Sequence, residues 1–161
     1  MKLLATISML ALLAAPALAT EDGKFWATAT ATRPSDGHRI IYRFVQEYQP
    51  AFDRSKYPVR VTVSWRYDSA TGMPSVPERE SMDGFEDRLA PHLEQSSLAS
   101  LALVRTGDNL RQWTYYAKTE GAFRKEFDQT IGAKSLLPIE VKFELEPRWE
   151  TYEQFVRGVR K

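Results

Sequence analysis

An α+β fold with a sheet covered on one side is what this sequence predicts, on three observations. The segment YPVRVTVSWRYD places Val59, Val61, Val63, Trp65 and Tyr67 on one parity and Arg60, Thr62, Ser64, Arg66 and Asp68 on the other. LPIEVKFELEP repeats the alternation, with Ile139, Val141, Phe143 and Leu145 set against Glu140, Lys142, Glu144 and Glu146. Between these runs Met82, Phe85, Leu89 and Leu93 recur at helical spacing. Strands with one apolar and one wet face belong to an antiparallel or mixed sheet that helices cover on one side.

Taken in order, the chain opens on MKLLATISMLALLAAPALAT. Lys2, the short apolar run from Leu3 to Leu13 and the small-x-small site Ala17-Leu18-Ala19 predict a secretory signal peptide over 1–19, cleaved after Ala19. Thr6, Ser8 and Pro16 interrupt a run already shorter than the ~20 residues that span a bilayer. Residues 20–161 then form one domain, expected to be periplasmic and free of the membrane once the signal is removed.

Strands are predicted at Phe25 to Ala31, Arg39 to Val45, Leu98 to Arg105 and Leu110 to Ala117, in addition to the two alternating runs. Gly107-Asp108-Asn109 suits a hairpin turn between the last two of these four. Helices are predicted over Val76 to Gln95, Glu120 to Thr130 and Trp149 to Val159. From the third strand onward the order reads βαββαβ. That is the ferredoxin-like pattern, within a two-layer sandwich carrying extra N-terminal strands and a C-terminal helix.

Composition excludes several functions. Lys and Arg total 22 against 21 Asp and Glu, and loss of Lys2 with the signal balances them. A neutral chain gives no electrostatic reason to bind nucleic acid. Without Cys there is neither disulfide nor thiol chemistry. His38 and His92 are the only histidines and have no metal-binding spacing. The sequence holds no nucleophile elbow, phosphate loop or zinc-protease signature, so neither a cofactor nor a metal is expected.

The acidic stretch PSVPERESMDGFEDRL gathers Glu78, Glu80, Asp83, Glu86 and Asp87. Ser75 and Glu78 match a capping box, and acids in the first turns complement the helix dipole. Glu86 differs, because it falls beside the apolar stripe and needs a partner. Arg111, Tyr67 and Tyr115 are the partners available on neighbouring strands. Glu86 and Asp87 diverge by about 100° around the helix, so they do not form an acid/base pair. Among the aromatics, Trp149, Tyr152 and Phe155 recur at helical spacing and would dock the last helix. Trp113 and Tyr115 share one strand face, and Tyr116 takes the opposite one as a less committed aromatic.

In this order the motifs KFWATAT, GHRIIYRF, YPVRVTVSWRYD, GMP, FEDRL, LRQWTYYAK, LPIEVKFELEP and RWETYEQF resemble the domain-of-unknown-function family 695, over residues 25 to 156. The resemblance implies no established activity. Some members carry the domain beside one similar to a regulator of ribonuclease E, which implies protein binding, although a secreted chain could not reach that cytoplasmic enzyme. Glu86 and Asp87 of FEDRL, and Trp113 and Tyr116 of QWTYY, are positions of the family pattern. Glu146 stands where members tend to have Asp.

The expectation is therefore a periplasmic, non-catalytic protein-interaction module, engaging a partner or a second copy through a sheet face or edge. The other possibility is a small-ligand-binding protein or weak enzyme with a pocket near Glu86, Arg111 and Tyr67. Trp113 and Tyr116 complete the candidate binding residues.

Overall fold

The computed structural model of the chain describes residues 23–133 and 135–159. The predicted signal peptide lies outside them. Six strands, β1 (Lys24–Thr32), β2 (Arg39–Tyr48), β3 (Val59–Arg66), β4 (Ala99–Gly107), β5 (Leu110–Ala117) and β6 (Ile139–Leu145), form one sheet in the order β1-β2-β4-β5-β3-β6. Every neighbouring pair is antiparallel. Three helices, α1 (Val76–Ala90), α2 (Glu120–Phe127) and α3 (Glu150–Val159), complete the α+β fold.

The alternation sets the register. Val63 pairs with Trp113 on one side and Val141 on the other, and Val61 pairs with Tyr115 and Phe143. Opposed residues share a face, so these six line one apolar surface. Met82, Phe85 and Leu89 of α1 and Phe123 and Phe127 of α2 pack on it as the first core. The Ser75 hydroxyl accepts from the Glu78 N–H, and the Glu78 carboxylate accepts from the Ser75 N–H at 2.9 Å. α1 ends at Ala90, because Pro91 has no N–H to offer the turn before it. The chain continues as a π-helical turn over Pro91–Gln95 that still buries Leu93.

The sandwich is not two-layered throughout. α3 docks on the face opposite α1 and α2, where Phe44, Tyr48, Tyr116, Trp149, Tyr152 and Val156 form a second core. That face carries aromatic side chains of β2 and β5, with Ala102 and Leu103 of β4 between them. The Tyr116 ring stacks on Trp149, centroids 3.8 Å apart and planes 7° apart, and the Tyr152 hydroxyl donates to the Val45 carbonyl at 2.5 Å. Burying aromatic area there outweighs leaving it wet. Over β6 the same face stays open, with Glu140, Lys142 and Glu144 exposed. On β3 Arg66 is exposed, Arg60 and Thr62 are half-buried, and Ser64, expected on the wet face, is buried and accepts from Gln112 at 3.1 Å.

Asp108 and Asn109 have φ near +60°, the pair of left-handed residues that a two-residue hairpin turn requires. Gly107 precedes them at φ +137°, and a β-carbon there would lie 2.4 Å from the Arg39 carbonyl oxygen.

Candidate functional site

Glu86 faces the sheet from the middle of α1 and is 15% exposed. Its Oε2 accepts from the Trp113 indole N–H at 2.7 Å, and its Oε1 accepts from Arg43. Arg111 lies 3.7 Å from Oε2 and donates to Asp83 Oδ1 at 2.6 Å. The result is an alternating row, Arg43–Glu86–Arg111–Asp83, with Arg43 above the Trp26 ring and Arg111 above the Trp113 ring. Periodicity explains it: Asp83 and Glu86 are three residues apart on one helix face. Arg43 on β2 and Arg111 on β5 reach that face from the sheet below.

Glu86, Arg111 and Trp113 are thus brought together. Tyr67 is not among them: its hydroxyl donates to the Gly72 carbonyl at 2.9 Å and braces the loop before α1. Tyr116 is also committed elsewhere. It is fully buried, donates to Glu146 Oε1 at 2.8 Å and accepts from the Tyr152 N–H at 3.3 Å. Burial first, and then the bond to Glu146, push its phenol well above the usual range. A strand-face parity cannot reveal that a distant helix will cover one face, which is why Tyr116 read as uncommitted. Asp87 and Glu80 are exposed on the far side of α1.

Three residues of consequence were not foreseen. Glu146 accepts from Tyr116, from the Thr151 N–H at 2.7 Å and from the Thr151 hydroxyl at 2.9 Å, and lies 2.7 Å from Arg60 Nε. It therefore caps α3 and ties it to β3 and β5. Its signal was an acid shortly before a helical run. Lys24 is buried, pairs with Glu94 of the π-helical turn and donates to the Leu101 carbonyl at 3.3 Å. Arg43 had no signal beyond its place in a basic strand.

Beside the ionic row, a groove of about 340 Å³ opens between the start of α1 and strands β1, β2, β4 and β5, lined by Thr28, Arg43, Arg79, Asp83, Thr106 and Arg111 among others. Ile41, Met73, Pro74 and Val104 complete its lining. Arg43 and Arg111 already pair with Glu86 and Asp83, and Arg79 can offer a guanidinium to an anion. Among the described residues, no group of three or more His, Cys, Asp or Glu is placed to hold a metal ion, and no helix is long and apolar enough to cross a membrane. A family model described as Family of unknown function (DUF695) matches residues 26–156. No curated protein matches the chain.

Proposed function

The chain belongs to the family of unknown function DUF695, and on that premise we propose that it is a secreted, periplasmic, non-catalytic module that binds protein through the open part of its sheet. The carrying observation is the uncovered polar face over β6 and the end of β3, where Arg66, Glu140, Lys142 and Glu144 stand exposed at the end of the sheet. The polar groups of the other candidates support the same reading. Glu86, Arg111 and Trp113 bind one another, and Tyr116 binds Glu146, so these groups join elements of the fold. We further read β3–α1–β4–β5–α2–β6 as a ferredoxin-like unit. The strand order β4-β5-β3-β6, with α1 and α2 on one face, supports it.

The groove beside Arg43, Arg79 and Arg111 favours a second reading, a site for a small anionic ligand. One experiment separates the two. A photo-crosslinking residue is placed at Thr62 or Arg66, and products formed in the periplasm are identified by mass spectrometry. An abundant crosslinked protein is the expected result. No crosslink at either position would overturn the interaction reading and leave the groove as the site to pursue.

A further inference from the structure

β6 ends the sheet, and its outer edge pairs with no strand among the described residues. The Glu146 N–H donates to the Pro58 carbonyl at 2.8 Å, and the Arg66 N–H donates to the Pro138 carbonyl at 3.3 Å. In an antiparallel ladder the inward-facing residues alternate. The even-numbered residues of β6 therefore turn their backbone groups to β3. The N–H and C=O groups of Val141, Phe143 and Leu145 and the C=O of Ile139 point outward, ready to pair with another chain, while the Ile139 N–H already donates to the Leu137 carbonyl at 2.8 Å. Leu145 is 79% exposed at the end of this edge.

We propose that the partner of this edge is a second copy of the chain, paired antiparallel with Phe143 opposite Phe143 of the other copy, so that two sheets join into one. This rests on the interaction reading above and names the partner. The charge order Glu140-Lys142-Glu144 on the polar face selects the register. Within one copy Lys142 lies 3.2 Å from Glu140 and Glu144 pairs with Arg60, and a second copy adds to these pairs. Centring the pair on Lys142 gives the longest overlap, but it sets Lys142 against Lys142 and Glu140 against Glu144. Directly opposed like charges are destabilising. Centring on Phe143 sets Lys142 against Glu144 twice, at the close, non-hydrogen-bonded positions. It also places Val141 against Leu145 twice, covering the exposed leucine. Glu140 then falls opposite Glu146, whose carboxylate is already turned to Arg60 and α3. Centring on Val141 would pair Glu140 with Lys142 but set Leu145 opposite Leu137, which lies before the start of β6 and outside its ladder.

The test is a charge exchange on the purified chain, read by sedimentation velocity, with a thermal melt of each variant to show that it folds. The unaltered chain is expected to dimerise. Lys142→Glu and Glu144→Lys are each expected to weaken self-association at least about tenfold, since each turns two attractive cross-strand pairs into repulsive ones. An equimolar mixture of the two variants restores dimers, because every opposed pair is again Glu with Lys. Glu140→Lys leaves the dimer intact in this register and breaks it in the register centred on Val141. A monomeric unaltered chain, a mixture that fails to recover, or loss of the dimer in Glu140→Lys would each overturn the proposal. A monomer that still crosslinks a foreign protein at Thr62 or Arg66 would overturn this inference alone and leave the interaction reading standing.

Discussion

Glu86 and Glu80 lie six positions apart on one helix, yet their environments differ completely. Glu86 accepts from an indole and a guanidinium beneath α1, whereas Glu80 is exposed on its outer side. Removing Glu86 leaves the Trp113 N–H and the mostly buried Arg111 short of a partner. Such losses cost more than the lost bond itself, because a desolvated donor or charge stays uncompensated. Glu86→Ala is expected to lower unfolding free energy by about 2–4 kcal/mol, and Glu80→Ala by no more than about 0.5 kcal/mol. Denaturant titration of both variants decides it, and equal midpoints would refute the assigned role. That Glu86 needed a partner was legible in the sequence, since the residue borders the apolar stripe. Arg111 was legible as one candidate. Asp83 was not, because an acid near a helix start has a sufficient explanation in the helix dipole. Tyr67 was misplaced because sharing a strand face with the core does not say where a long side chain ends.

At the scale of elements, the hairpin between β4 and β5 and the interior of α1 give opposite tests of glycine. Gly107 sits at φ +137° with its would-be β-carbon against the backbone of β2, so Gly107→Ala brings both strain and a clash. It is expected to destabilise by about 2 kcal/mol or more. Gly84 lies within α1 with open space around it, and Gly84→Ala is expected to stabilise by up to about 1 kcal/mol. Thermal melts of the two variants should move in opposite directions. A shift of the same sign would mean that one local geometry is wrongly understood. The segments most readable from sequence were those with a single, uninterrupted period: β3, β6, α1 and the hairpin. Ends were less readable. β2 runs on to Tyr48 past the predicted Val45, because Glu47 and Tyr48 pair with Phe25 and Lys24 of β1 and Tyr48 enters the aromatic cluster under α3. α1 and α2 stop short of prediction because the chain after them widens into π-helical geometry, which apolar spacing does not reveal, whereas α3 ends at Val159 as predicted.

For the molecule as a whole, the two cores hide phenols on both faces of one sheet. Burial is the main cause that pushes the hydroxyls of Tyr48, Tyr115 and Tyr116 above the ordinary tyrosine value. The protonated form is therefore favoured in the folded state. Below about pH 10 both states hold these protons and stability does not depend on them. Above it, the unfolded chain releases protons that the folded chain keeps, so stability falls. The slope is up to about 1.4 kcal/mol per pH unit for each phenol. Denaturation midpoints measured across that boundary should be flat on the neutral side and drop on the alkaline side. A midpoint that holds steady into strong alkali would contradict the burial of these hydroxyls. Architecture was legible as far as one sheet with helices on its apolar side. The second core was not, because it joins residues about a hundred positions apart, where no local pattern carries the pairing. That separation also fixes an order of events. A chain made from its N-terminus exposes Tyr42, Phe44 and Tyr48 of β2 early, but their cover, Trp149 to Val159, is synthesised much later. The core of β3, α1, β4, β5 and α2 can assemble while α3 is still missing. Closure of the aromatic cluster must then await α3, and until it happens the nascent chain presents an apolar surface prone to association.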